Sequence, residues 1–421
     1  MATPLARRAL ARYIRRLPDI QNPGKEIEVC WTLFSVNAVA YYITVFVGMS
    51  GGVDSSVTAK LLADKDYDLS AVFMRNWDTR DESASDKGCE WEKDWEDVQQ
   101  VCKALDIPCE MIDLSQEYWN RVFQPSLHSW EDGITPNPDV LCNREIKFGA
   151  LLEHLPMASS SSSKTWFATG HYARKTWTLP TSESPPRAKL LRPVDLIKDQ
   201  TYFLASMTEQ SLNCALFPLG DLNKSEVREI AKKAGLATAE RKESMGVCFV
   251  GKKSKFGDFI SSYIPPNPGP IIDLSTGDTV AQHKGLWTYT IGQGAKLPGM
   301  RQRAFVVKKD SGLNAIYIAF GSHNPLLLSR SVIVSDFSWI WKDSPPNHLK
   351  TEDGYGAEVK IRHRMDSTTC TVHSSDSDHD LKITLGNPEV GVAPGQVAVV
   401  YDREEGRVLG CGTIVDTISL E

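Results

Sequence analysis

The sequence has no CxxC pair, no Walker-type GxxxxGK[ST] string and no GxGxxG. Without CxxC there is neither a zinc ribbon nor a small disulfide framework. Nine cysteines at 30, 89, 102, 109, 142, 214, 248, 370 and 411 form an odd, scattered set. They read as reduced thiols in a reducing compartment, most of them buried as small hydrophobes. A basic excess is missing too: Lys+Arg 47 against Asp+Glu 53 leaves a net charge of -6. That balance excludes a chain coated in positive charge for non-specific nucleic-acid binding, yet leaves room for a local basic groove. One apolar run, residues 29–48, is long enough to raise a membrane span. Thr, Ser, Asn and two Tyr dilute it, and its end must serve as a strand. It reads as an unusual insertion in a soluble chain, with no stable membrane association. No internal repeat is visible.

What is present spans 421 residues, too many for one ordinary domain. Residues 1–18 carry Arg7, Arg8, Arg12, Arg15 and Arg16 with no acid, and Leu5, Leu10, Tyr13, Ile14 and Leu17 share a helical face. This is the composition of a mitochondrial transit peptide, the alternative being a basic surface helix of a cytoplasmic protein. From residue 43 short apolar runs alternate with helical segments: strands at 43–48, 69–74 and 108–114, helices at 54–64 and 94–106, and a further strand end at 167–172. This alternation predicts an α/β fold with a doubly wound parallel sheet. The serine run 159–163 and residues 181–187 read as exposed loops, and 224–235 as a helix with lysines at its end. Residues 257–325 are Gly- and Pro-punctuated and form a small central domain. The last stretch, 326–421, holds the short strands AEVKIRH, TCTVHS, LKITLG, QVAVVYD and VLGCGTIV separated by turn residues and predicts a small β-barrel. The expected division is thus 1–42 targeting and insertion, 43–256 catalytic, 257–325 central and 326–421 barrel.

Gly48-Met49-Ser50-Gly51-Gly52-Val53-Asp54-Ser55-Ser56 stands between the first strand and the first helix. Adjacent glycines let the backbone approach an anion closely. Successive N–H groups at the helix start make a positive nest for phosphate. The serines add donors, and Asp54 can cap the helix or approach a magnesium ion. A tight strand–helix turn alone would need a glycine but not this whole string.

Further along, Thr135-Pro136-Asn137-Pro138-Asp139-Val140-Leu141-Cys142 sets a cysteine near the start of a helix, with Arg144 and Lys147 close by. Such surroundings favour thiolate. Asp139 could handle protons near that sulfur or simply cap the helix. Cys248 lies in an apolar stretch between Gly246 and Gly251, where a buried small residue is the plain alternative.

The glycine-rich string resembles the PP-loop of ATP pyrophosphatases, which cleave ATP between the α and β phosphates and adenylate a carbonyl oxygen. That class includes amide-forming synthetases and tRNA sulfur-transfer enzymes, and the loop does not choose between them. Adding MRNWD (74–78), TPNPDVLCNREIKFGALL (135–152), ATGHYAR (168–174), KDQTYFL (198–204), FPLGDLNKSEVREIAKKAGL (217–236), GVCFVG (246–251), HKGLWTYTIGQ (283–293), VKIRHR (359–364) and APGQVAVVYD (393–402), the chain resembles the tRNA-specific 2-thiouridylases over 43–421. Its N-terminus is similar to their mitochondrial form.

The resemblance implies ATP and Mg2+ at Gly48, Met49, Ser50, Gly51, Gly52, Val53, Asp54 and Ser55, with Met74 and Gly170 near the nucleoside, and no separate side-chain metal site. It implies that the wobble uridine of a tRNA is flipped out and adenylated on O2. Cys248 then carries a persulfide from a sulfur donor, and Cys142 forms a disulfide with Cys248 that a reductant reopens. Asn137, Pro138 and Asp139 would touch the base, with Lys198, Asp199, Gln200, Arg362 and His363 on the tRNA. Where the family has tyrosine this chain has His363, and Gly292–Lys296 departs from a more basic family stretch. Residues 78–97 carry nine acids against three bases, while 228–233, 301–309 and 360–364 are basic, so a one-sided basic face is expected. Trp77, Trp91 and Trp95 read as packing residues and His171 as structural. An amide synthetase, a non-enzymatic tRNA-binding protein with a relic loop, and an iron–sulfur thiolase are the rival readings.

Overall fold

Alternating β-branched and aromatic residues in Thr44–Met49 favour a pleated, buried strand, β1, and its interior residues Val45 and Val47 are fully buried. In the computed structural model, residues 43–65, 67–77, 90–156, 165–181, 185–242, 256–300, 302–375 and 380–420 are described. They fall into two compact units. One comprises the described residues of 43–116, 147–201 and 209–242; the other those of 117–146, 202–208 and 256–420. The apolar insertion before 43, the serine run and Cys248 lie outside the described residues.

The first unit is built on a five-stranded parallel sheet. Its strands are β1, β2 (Asp68–Arg75), β3 (Cys109–Asp113), β4 (Thr165–Thr169) and, after the hairpin β5 (Arg174–Trp177) and β6 (Ala188–Leu191), β7 (Ala215–Leu216). The spatial order is β3-β2-β1-β4-β7, so the winding direction reverses between β1 and β4. This is the doubly wound sheet expected, and the crevice beyond the strand ends at such a reversal is where open α/β sheets bind ligands. Helix α1 (Val53–Ala63) buries Val53, Val57 and Leu62, and helix α2 (Glu90–Leu105) adds Val98, Val101 and Cys102 to the same core. Trp91 and Trp95 pack against that core, Trp95 with its ring 5.5 Å from Phe73, so the packing role expected of them is the observed one. The helix Lys224–Lys233 opens with Asn223 N–H donating to Glu226 Oε2 at 2.7 Å and ends before Gly235, whose φ of +65° suits a helix stop.

The second unit contains a four-stranded sheet and a closed barrel. The sheet is β8 (Gly269–Asp273), β9 (Thr279–His283), β10 (Ala304–Asp310) and β11 (Ala315–Phe320) in the order β10-β11-β8-β9, around Ile271, Val306, Ile316 and Ile318. The barrel runs β12 (Leu328–Trp339), β15 (Leu381–Val390), β14 (Thr368–Ser374), β13 (Tyr355–Lys360), β16 (Val397–Tyr401) and β17 (Val408–Ser419). All its pairings are antiparallel, and closure leaves no edge strand. Five of the six strands were expected from the sequence; β12 was not. Residues 117–146, which carry the first cysteine motif, cluster with this second unit. Among the described residues, no helix is long and apolar enough to cross a membrane.

Candidate functional site

In the first unit Gly48 pairs with Val72 of β2 and Thr169 of β4, so the loop leaves β1 between these two neighbours. Met74, on β2, and Gly170, directly after β4, therefore share the sheet edge from which the loop springs. Gly51 has φ +71° and is packed so that an added Cβ would lie 2.7 Å from the Asp94 carbonyl oxygen. Only glycine takes both the dihedral and the contact without strain. Gly170 stands just as close: a Cβ there would fall 2.8 Å from the Ser55 nitrogen. Ser50 N–H donates to Ser55 Oγ at 3.1 Å, and Ser56 Oγ donates to the Gly52 carbonyl at 2.8 Å, which pins the turn. Gly52 is the extended N-cap of α1 and offers no side chain to the first helical N–H groups. Those donors are the ones that a phosphate oxygen satisfies.

Three groups around the loop had no role in the sequence reading. Lys224 Nζ donates to both carboxylate oxygens of Asp54, at 2.7 and 2.8 Å. Tyr172 OH donates to Asp54 Oδ1 at 2.9 Å. Arg241 donates to the Gly51 carbonyl at 2.7 Å while its other contacts go to Asp94 and Asp97. The acids at the end of the 78–97 segment are therefore neutralised beside the loop.

From the same centre a chain of bonds leads to the 198–200 turn. Tyr172 N–H donates to Gln200 Oε1 at 2.9 Å, and Gln200 N–H returns to the Tyr172 carbonyl at 3.1 Å. Asp199 is 3% exposed, and its Oδ1 accepts from Thr201 N–H at 3.0 Å, so its carboxylate shapes the turn. Leu196 and Ile197 beside Lys198 are exposed. His171 is buried, with Nδ1 2.8 Å from Thr169 Oγ1, and burial pushes its pKa well below the usual imidazole range, with Lys147 adding to the effect. A neutral, enclosed imidazole suits the structural role expected of it.

In the second unit Asn137 caps the turn Pro138–Leu141 by accepting from Val140 N–H at 3.4 Å. Cys142 follows as the first residue of a π-type segment, Cys142–Ala150, and is buried. Such i→i+5 turns are uncommon and cluster at functional sites. Asn143 Nδ2 donates to the Asp139 carbonyl at 2.9 Å, while its Oδ1 is buried with no hydrogen-bond partner among the described residues. Arg144 donates to Glu145 at 2.6 Å. Cys370 and Cys411, buried in the same unit, have thiol pKa values pushed up to about 12, chiefly by burial, and are held as inert thiols. Cys102 of the first unit is likewise raised to about 12, burial again being the main cause. Arg362 lies 3.7 Å from Glu389, and the His363 ring sits 4.3 Å from Phe203 and 6.0 Å from Tyr202. Both residues follow β13, so they occupy a turn at its end.

Residues 43–252 match the family model described as the tRNA methyl transferase HUP domain, 257–320 the tRNA methyl transferase PRC-barrel domain, and 329–414 the aminomethyltransferase beta-barrel domain. The tRNA-specific 2-thiouridylase MnmA of Bacillus subtilis (strain 168) is 42% identical over 374 residues, 88% of this chain and 95% of that one. That of Staphylococcus aureus (strain bovine RF122 / ET3-1) is 40% identical over 378 residues, 89% and 96%. The chain belongs to the tRNA-specific 2-thiouridylase family. Among solved structures, NMN synthetase from Francisella tularensis aligns at 15% identity with a TM-score of 0.30, covering 58% of this chain and 76% of that one, too slight a likeness to argue from.

The residues expected at the site fall in both units. Gly48–Ser55, Met74, Gly170 and Lys198–Gln200 belong to the first; Asn137–Asp139, Cys142, Arg362 and His363 belong to the second. Lys224 was visible in the sequence as part of FPLGDLNKSEVREIAKKAGL, but nothing local marks it as a partner of Asp54, 170 positions away.

Proposed function

We propose that this protein is an ATP-dependent tRNA-uridine 2-sulfurtransferase that thiolates the wobble uridine, position 34. The observation that carries the reading is the glycine-rich loop at the sheet's reversal point, in a chain that matches thiouridylases along most of its length. The loop's N–H donors fit nucleotide phosphates and so fit ATP. Magnesium would arrive with the nucleotide and meet Asp54, whose oxygens now accept from Lys224 and Tyr172. The ion would supply charge neutralisation at the phosphates.

The uridine must leave its stack for O2 and C2 to be reached. Attack of O2 on the α-phosphorus expels pyrophosphate and leaves C2 bearing a good leaving group, AMP. A persulfide on Cys248 delivers its terminal sulfur to C2, the C–O bond breaks, and AMP departs. Cys142 thiolate attacks Cys248 Sγ, breaking the S–S bond and leaving the outer sulfur on C2. Alternatively that attack precedes transfer and frees hydrosulfide. Either route ends with a Cys142–Cys248 disulfide, and a dithiol or similar two-electron reductant restores the thiols. Asn137, Pro138 and Asp139 hold the base, and Asp139 handles protons near the sulfur. Lys198, Asp199, Gln200, Arg362 and His363 serve the tRNA, the buried Asp199 through the shape of its turn. A cysteine desulfurase or relay protein provides the persulfide. The five arginines of residues 1–18 support a mitochondrial address.

The test is pyrophosphate release from ATP with and without tRNA. Release that requires tRNA bearing a wobble uridine supports the reading. Release stimulated equally by ammonia or an amine acceptor supports the amide-synthetase rival.

A further inference from the structure

We infer that Gln396, in the turn leading to β16 of the terminal barrel, is a positioning residue that sets the geometry of the Thr135–Cys142 segment for catalysis. The inference deepens the proposed function and rests on it.

Gln396 reaches this segment with both ends of its amide. Nε2 donates to the Thr135 carbonyl at 2.8 Å and to the Pro136 carbonyl at 3.3 Å. Oε1 accepts from Asn137 Nδ2 at 3.5 Å. The same turn adds backbone contacts: Thr135 N–H donates to the Pro394 carbonyl at 3.1 Å. Gly395, with φ +91°, leaves no room for a side chain, since a Cβ would lie 2.3 Å from Ile134 Cγ2. Pro136 and Pro138 have no N–H, so this stretch cannot be fixed by a regular backbone ladder and depends on side chains brought from elsewhere.

Asn137 is the focus of the network. Its Oδ1 caps Val140 N–H at 3.4 Å, and its amide lies beside the Tyr202 hydroxyl, whose pKa burial raises more strongly than this contact lowers it. Tyr202 OH in turn donates to the Val397 carbonyl at 2.8 Å, one residue beyond Gln396. Gln396 thus holds the amide at the head of the turn that leads into Cys142, and its neighbour Val397 anchors the Tyr202 hydroxyl beside that amide. Lys309 adds a third hold on the same stretch, its Nζ lying 3.5 Å from Thr135 Oγ1 and donating to the Tyr289 carbonyl at 2.9 Å. A bidentate amide is the right group for this job, because it must give a proton to two carbonyls and take one from an amide simultaneously. Misplacing a reacting group by about 1 Å costs on the order of a hundredfold in rate.

The test compares wild type with Gln396→Met, which keeps volume but not the hydrogen bonds, and with Gln396→Glu. Steady-state tRNA-dependent pyrophosphate release and 2-thiouridine formation are measured from pH 5.5 to 8.5, with tRNA affinity by filter binding and melting temperature as controls. Q396M is expected to lose roughly ten- to a hundredfold in kcat with tRNA KM and Kd changed less than about threefold. In Q396E the ionised carboxylate would oppose the Thr135 and Pro136 carbonyls, whereas its protonated form can donate its one O–H to either of them. The ratio of Q396E to wild-type kcat should therefore rise as pH falls, a signature that loss of packing does not produce. Wild-type kcat in Q396M, a defect confined to tRNA KM, or a Q396E ratio flat with pH overturns the inference and leaves the proposed function standing. If Q396M fails to fold, the Q396E ratio decides alone. A wild-type protein that makes no thiouridine overturns the proposed function, and the inference with it.

Discussion

Lys224 Nζ lies 2.7 and 2.8 Å from the two carboxylate oxygens of Asp54, so a cation stands beside a phosphate loop that itself contains none. The lysine that the Walker pattern would place inside the loop is brought instead by the first turn of a later helix. A charge there can follow the developing negative charge on departing pyrophosphate. Lys224→Met should lower tRNA-dependent pyrophosphate release by about a hundredfold, with Lys224→Arg retaining part of it. Unchanged release in K224M would confine Lys224 to a structural ion pair with Asp54.

Two glycines separate site geometry from stability. Gly170→Ala would drive a methyl against the Ser55 nitrogen and the Asp54 carbonyl carbon, 2.8 and 2.9 Å away, and should abolish binding of a non-hydrolysable ATP analogue by calorimetry. Gly235→Ala meets nothing within 4 Å but must keep φ +65°. It should cost about 1 kcal/mol and lower the melting temperature while nucleotide affinity is retained.

The buried imidazoles set a pH dependence. His171 has a folded pKa well below its unfolded value, chiefly by burial, and His283 is lowered for the same main cause. Below the unfolded value of about 6.5 the unfolded chain binds a proton that the folded one refuses, so stability falls as pH falls. His171 alone should contribute a slope of about 1.4 kcal/mol per pH unit beneath that point. Urea unfolding of H171Q should show a shallower acid slope than wild type, and equal slopes would contradict the assignment.

Cys142→Ser separates sulfur transfer from adenylation. Its thiolation should fall to background while tRNA-dependent pyrophosphate release persists, because adenylation does not use the thiol. Cys102→Ser, at a buried thiol of the sheet core, should leave thiolation intact and lower stability alone. Thiolation retained in C142S would remove the cysteine pair from the mechanism.

The loop, the sheet and the barrel were legible because each rests on local pattern. GMSGGVDSS follows a strand and precedes a helix, and the reversal between β1 and β4 puts Gly170 against Ser55 as a consequence of winding order. Strand β12 was hidden because bulges interrupt its alternation between Ser329 and Ser331 and again between Ser335 and Ser338, near Asp336 with φ +51°. A period of two is lost at each extra residue. The four-stranded central sheet was masked by its Gly and Pro punctuation and by a bulge between Val306 and Lys308. The partners Lys224–Asp54 and Gln396–Thr135 were invisible for a different reason: contacts 170 and 261 positions apart leave no trace in local spacing. Nor does local pattern show that the Asp199 carboxylate is buried and accepts from Thr201 N–H, two residues on.

Nucleoside mass spectrometry reads wobble-uridine thiolation itself. Unmodified tRNA is incubated with the protein, ATP, magnesium, a persulfide donor (a cysteine desulfurase with its cysteine substrate) and a dithiol reductant, then digested. 2-Thiouridine is expected at position 34, dependent on ATP and lost in C142S and C248S. Unchanged uridine at position 34, from protein that binds both ATP and tRNA, would contradict the proposed function.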